Sequence, residues 1–157
     1  MSSDPITRRF ALFALLGLAG CGLTPVYGTG GGLRGQIGFA SDDSVAGYRL
    51  QERLEERLGV ARTPRYTLRA EPQINQRAAA ITAAGDTARY NLIGTADWVL
   101  RDAATGARID GGTVEAFTSY SATGSTVATQ TTRDDAEARL AVILADLIVS
   151  RLMVAAP

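Results

Sequence analysis

Lysine and histidine are both absent from the 157 residues, so every one of the 16 basic side chains is arginine. A nucleophilic serine or cysteine therefore has no histidine or lysine to activate it, and no amine is available for a Schiff base. No imidazole can ligate a metal, and a Walker-type phosphate loop lacks its lysine. Only one cysteine is present, so no disulfide can form within the chain and the fold must rest on its core. Charge of either sign is not in excess: 16 acidic residues balance the arginines, at a sequence pI near 6.3. Such a balance offers no basic field for nucleic acid. What remains is carboxylate chemistry, binding through backbone and arginine, or no catalysis at all.

The N-terminal end reads as an address rather than as fold. Arg8 and Arg9 make a positive start, and Phe10 to Leu18 is an apolar run. That run is too short for a bilayer, which takes about 20 apolar residues. Leu18-Ala19-Gly20-Cys21 follows at once, and the order resembles the lipobox of bacterial lipoproteins. The resemblance implies a signal peptide over residues 1–20, cleavage before Cys21, a diacylglycerol on its thiol and an acyl chain, palmitate for example, on the new N-terminus. Two or more acyl chains hold a protein stably at a membrane, at roughly 0.8 kcal/mol per buried methylene. Apart from this covalent lipid no cofactor is expected. Gly22, where inner-membrane lipoproteins carry Asp, resembles the class sent to the outer membrane. The Arg8-Arg9-Phe10 string leaves the export route, general or twin-arginine, open.

Residues 21–32 follow as a lipidated cysteine and flexible tether, with Pro25 and a glycine-rich run from Gly28 to Gly32. The alternation of Leu33, Gly35, Ile37 and Phe39 predicts a short strand. Ser41 to Ser44 offer caps for a helix over 45–58, whose Leu50, Leu54 and Leu58 share one side and which Gly59 closes. A strand is predicted over 65–70, with Pro72 marking an edge or a bulge. It resumes over 74–82, where Ala78 to Ala80 make a helical turn the competitor. After a turn at Ala84-Gly85-Asp86, the clearest strand runs over 87–101, with Ala88, Tyr90, Leu92, Gly94, Ala96, Trp98 and Leu100 on one face. A hairpin loop over 102–106 leads to its partner over 109–122. The Ser/Thr/Gly/Ala-rich stretch 119–132 reads as a loop. Thr132 and Asp135 then resemble a capping box for a last helix, whose stripe of Leu140, Ile143, Leu144, Leu147, Ile148 and Leu152 predicts a core face. Residues 33–157 thus read as one α+β domain. It is a two-layer sandwich of two helices on a four-stranded, mainly antiparallel or mixed sheet.

Chemistry-bearing residues are few. Asp97, Asp110 and Glu115 could supply paired carboxylates for a glycosidase, but their spacing is not diagnostic. Ser119, Ser121 and Ser125 have no base. The arginines beside the strands, at 69, 77, 89, 101 and 108, are better placed to bind an anion, because guanidinium pairs with phosphate in two places and keeps its charge.

Three stretches together resemble the LptE family of lipopolysaccharide-assembly lipoproteins. They are Cys21-Gly22-Leu23-Thr24-Pro25-Val26-Tyr27, the strand segment Thr87-Ala88-Arg89-Tyr90-Asn91-Leu92, and the run from Gly111 through Phe117-Thr118-Ser119-Tyr120 into the acidic last helix. The resemblance implies two helices on a four-stranded sheet and a non-enzymatic outer-membrane lipoprotein facing the periplasm. It further implies a place as plug and assembly partner of a large LptD-like β-barrel, and binding of lipopolysaccharide. The family's lipid-contacting basic residues lie near the turn before the central strand and near the start of the last helix. Those places hold Ala83 and Gln130 here, so the nearest arginines, Arg77, Arg89 and Arg133, become the lipopolysaccharide-binding candidates. A lipoprotein that regulates a periplasmic enzyme or binds the cell wall is the alternative from a different class.

Overall fold

The computed structural model describes residues 32–81, 85 and 87–155. Cys21, the signal over 1–20, the tether as far as residue 31, and Ala83 lie outside the described residues.

Strand β1 (Ile37–Ser41) leads into helix α1 (Val45–Leu58), and β2 (Tyr66–Ile81), β3 (Thr87–Asp102) and β4 (Arg108–Ser121) follow before helix α2 (Thr126–Ala155). The four strands form one sheet in sequence order. β1 pairs parallel with β2 across the α1 crossover, and β2–β3 and β3–β4 are antiparallel hairpins, so the sheet is mixed. Both helices cover the same face. Leu50, Leu54 and Leu58 of α1, Leu140, Leu144, Ile148 and Leu152 of α2, and Leu68, Leu92, Ala96 and Leu100 of the sheet make one core. The opposite face carries no second layer among the described residues.

Local chemistry explains most boundaries. Ser44 caps α1 by accepting the Gly47 amide at 2.9 Å, and Gly59 closes it at φ 69°, donating its amide to the Glu55 carbonyl at 2.8 Å. β1 begins at Ile37, later than the predicted strand from Leu33. Gly35 has φ 71° and the Gln36 amide bonds back to the Leu33 carbonyl, so the alternation before Ile37 belongs to a turn. β2 is one continuous strand through Pro72. β1 stops opposite Ala70, so beyond it β2 is an edge and the proline's missing N–H costs no ladder bond. The irregularity lies instead at Ala78–Ile81, where the register shifts.

Two expectations about α2 are corrected. The stretch predicted as loop up to Thr132 is helical from Thr126: Ser125 accepts the Ala128 amide, and Thr131 and Thr132 turn their hydroxyls back onto the Val127 and Thr129 carbonyls. Thr132 and Asp135 are therefore interior residues and not a capping box; Asp135 pairs with Arg139 instead. The core stripe also runs at steps of four, through Ala136, Leu140, Leu144, Ile148 and Leu152, with Ala141, Ala145 and Val149 beside it. Ile143 and Leu147 fall on the flank, and Leu147 stays 37% exposed where Leu144 is fully buried. Gly94 lets α2 lie close on the sheet: a Cβ there would meet Leu140 Cδ2 at 2.9 Å and Leu144 Cδ1 at 3.1 Å.

Candidate functional site

The period of two in β3 sorts its side chains between the helix layer and the open face, and the pairing registers extend that sorting across the sheet. On the open face, Asn75, Ile93 and Phe117 form one cross-strand row, and Arg77, Asn91 and Ser119 form the next. Arg89, opposite Ser121, follows toward the β2–β3 turn. One row the other way, Gln73, Thr95 and Glu115 align, and then Glu71, Asp97 and Thr113. The open face thus runs from cations at the β2–β3 turn end through an apolar belt to acids, and beyond them it turns basic again, with Arg69 paired to Glu71 and Arg101 opposite Arg108.

Arg77 and Arg89 are neighbours on adjoining strands of this face, both exposed, and neither has an acidic partner among the described residues. The belt beside them is not covered: Phe117 is 76% exposed next to half-buried Ile93. At the end of β2, Ile81 is 68% exposed. Two guanidinium groups without an acidic partner among the described residues therefore stand beside apolar surface.

Arg133 lies elsewhere. It sits two turns into α2, on the helix side of the sheet, and its Nε donates to Glu137 Oε1 at 2.8 Å. That hydrogen bond raises its pKa further above the usual arginine value. On the sheet its charge acts on Tyr120, whose ring stacks on Tyr90 with centroids 5.3 Å apart. Burial pushes the Tyr120 hydroxyl above the usual tyrosine range, and the charge of Arg133 pulls the other way. Thr132 donates to the Ser121 carbonyl at 3.1 Å, so Arg133 and Arg89 lie at the same end of the molecule but on opposite faces. Arg77 and Arg89 are brought together; Arg133 is separated from them by the sheet. Gln130, the other position singled out from the family resemblance, is exposed on α2 and donates to Asp134.

The carboxylates do not assemble a cleft. Asp97, which accepts from the Thr113 hydroxyl, and Glu115 are exposed on the open face, whereas Asp110 caps the Gly111 amide at 2.7 Å. Among the described residues no three metal-ligating side chains cluster, and no helix is long and apolar enough to cross a membrane. The sequence reading missed the apolar belt. The single exposed Phe117 carries no periodic signal distinguishing it from a core residue; the pairing register alone places it beside Ile93 and one row from Arg77.

A family model described as LptE, lipopolysaccharide-assembly, matches residues 36–152. Three solved structures share the fold. A protein of Caulobacter crescentus CB15 described as a lipoprotein is 23% identical with a TM-score of 0.63, over 76% of this chain and 89% of its own. The minor lipoprotein of Acinetobacter baumannii is 19% identical at a TM-score of 0.61, over 78% and 93%. Rare lipoprotein B of Shewanella oneidensis is 16% identical at 0.58, over 74% and 92%. No curated relative matches the sequence.

Proposed function

The chain belongs to the LptE lipopolysaccharide-assembly family, and on that premise we propose that it is an outer-membrane lipoprotein, tethered through lipidated Cys21, that partners and plugs an LptD-like β-barrel. In this reading it has no catalytic step. It holds lipopolysaccharide at the β2–β3 turn end of the sheet while the lipid passes to the barrel. Lipopolysaccharide presents phosphates beside acyl chains, so a site for it needs cations that stay charged next to apolar surface. The observation that carries the reading is the Arg77–Arg89 pair, without an acidic partner among the described residues, beside exposed Phe117 and Ile81.

Two experiments test it. A detergent pull-down of the mature lipoprotein, with mass spectrometry of what accompanies it, is expected to return a very large outer-membrane barrel; its consistent absence overturns the partnership. Reversing Arg89 to Glu is expected to weaken lipopolysaccharide binding several-fold, most at low salt where exposed charges are least screened. Arg108→Glu, at the opposite end of β4, is expected to do little. Equal losses for the two variants would mean diffuse attraction rather than a site.

A further inference from the structure

We propose that the end of the domain where the tether enters seats on the phospholipid surface that holds the anchor, through arginines that meet anionic headgroups. The attachment rests on the reading of Cys21 as lipidated; the surface itself is made by described residues. Leu33 is buried, so the domain's first residues are fixed in place. The Gly35 amide donates to the Leu58 carbonyl at 2.7 Å, the Gln36 carbonyl accepts the Arg65 and Tyr66 amides, and the Arg65 carbonyl accepts the Ala103 amide at 2.9 Å. These bonds tie the entry of the chain to the start of β2 and to the β3–β4 loop, at the end of the sheet away from Arg77 and Arg89. Cys21 precedes Leu33 by 12 residues, which span at most about 40 Å when fully extended. That length bounds how far this end can stand from a membrane that holds the lipid.

The chemistry of this end fits such a surface. Arg34, Arg62, Arg65, Arg101 and Arg108 are all exposed, and none has an ion pair among the described residues. Arg65 lies over the Tyr66 ring at 5.2 Å and Arg101 gives one N–H to the Gly106 carbonyl, contacts that position charge without neutralising it. Arg101 also stands across from Arg108 in the β3–β4 pairing, a like-charge opposition that costs stability and that a nearby anion relieves. Two carboxylates belong to the same end, and backbone amides hold both. Asp102 Oδ1 accepts from Ala104 and Thr105 at 3.0 and 2.8 Å, and Asp110 Oδ1 accepts from Gly111 at 2.7 Å. Five arginines against two aspartates leave this end positive in a chain whose charges balance overall. Among the cations, Val60 is 62% exposed and Ile109 45% exposed. Apolar side chains so placed enter the boundary between headgroups and acyl chains, while guanidinium groups stay with the phosphates. The five arginines come from the chain's entry, the α1–β2 loop and the β3–β4 hairpin, so an extended layer of headgroups meets more of them at once than one free anion does. The anchor keeps the headgroups at high local concentration. The patch therefore needs no affinity for lipid free in solution, and Arg108→Glu remains a neutral control for lipopolysaccharide binding.

The test places the mature lipoprotein on preformed vesicles, either of phosphatidylcholine or with a third of that lipid replaced by phosphatidylglycerol. Ile109→Cys carries an environment-sensitive dye, and acrylamide, a neutral quencher, reads its access to water. Quenching is expected to be several-fold weaker on the anionic vesicles, and the difference to shrink as salt is raised. Neutralising both Arg101→Gln and Arg108→Gln is expected to remove the difference, and lysine at both positions to keep most of it. Arg77→Gln, at the other end, is expected to leave it unchanged, and a dye on Ala79→Cys to stay open to the quencher on both vesicles. Flotation with the neutral vesicles reads the anchor separately. A chain that does not rise with them carries no lipid, and the patch is then judged by whether the chain rises with the anionic vesicles in a salt-sensitive way. Equal quenching of the Ile109→Cys dye on the two vesicles, a difference that survives the double glutamine variant, shielding that appears only when a protein partner is added, or an unanchored chain that ignores anionic vesicles would each overturn the proposal.

Discussion

Burial of the Tyr120 ring against Tyr90 makes one hydroxyl sensitive to high pH. Its folded-state pKa is raised above the ordinary value of about 10, so the neutral form is favoured by folding. The stabilisation is fully present below about pH 10 and is lost as pH rises through the raised folded value. Tyr120→Phe keeps the stacked ring and removes the proton. Urea midpoints compared at pH 8 and above pH 10 are expected to fall more for the parent than for the variant; a parallel fall would assign the alkaline loss to other groups. Cys21 makes a second prediction at this scale. Cys21→Ala is expected to leave an uncleaved or soluble form on fractionation, and a mature, lipid-bearing species at the outer membrane would refute the lipobox reading.

Within α2, two leucines three residues apart have different fates. Leu144 is fully buried beneath Gly94, whereas Leu147 lies on the flank. Leu144→Ala is expected to cost about 2–5 kcal/mol, the range for a core leucine whose cavity relaxes only in part. Leu147→Ala is expected to cost well under half as much. Urea melts of the two variants check this, and equal losses would show that the wider stripe seen in the sequence is the packed one. The first turns of the same helix, from Thr126 to Asp135, are almost entirely exposed. Side chains of their own, through Ser125, Thr131, Thr132 and the Gln130–Asp134 pair, satisfy backbone groups or one another there. The threonines back-bond to carbonyls within the helix, which is why their loop-like composition is compatible with helix.

Across the whole molecule, the two helices are fastened to each other as well as to the sheet. Arg53 of α1 grips Asp146 of α2 with both ends of its guanidinium, Nε to Oδ1 and Nη2 to Oδ2 at 3.1 Å each, and Arg57 stands 3.5 Å from the same carboxylate. The hydrogen bonds to Asp146, and then to Glu56, raise the Arg53 pKa beyond its ordinary value. A double-mutant cycle with Arg53→Gln and Asp146→Asn is expected to give a favourable coupling that shrinks as salt is raised, because both side chains are partly exposed. No coupling at low salt would mean that the helices are held by the core alone. The two helices are therefore joined to each other over one face of the sheet, and the opposite face, with its Arg77–Arg89 end, carries no second layer among the described residues.

How much of this was legible beforehand follows from the range of the interactions involved. Alternation in β3, the Leu50–Leu54–Leu58 spacing, the Ser44 and Gly59 caps and the two hairpins are set by neighbours a few residues apart, and each reads directly from the chain. The lipobox-like segment and the family resemblance are likewise properties of local order. Register and layer are decided by contacts between segments distant in the chain. Pairing of Arg77 with Asn91 and of Arg89 with Ser121 sets two arginines together on one face, and docking of α2 on the opposite face removes Arg133 from them. Trp98 was legible as a core residue from its phase, but that its buried Nε1 meets no acceptor among the described residues is decided by the distant segments packed around it. A periodic pattern specifies which side of an element is buried; only the assembled layers specify what each buried polar atom and each free charge finally meets.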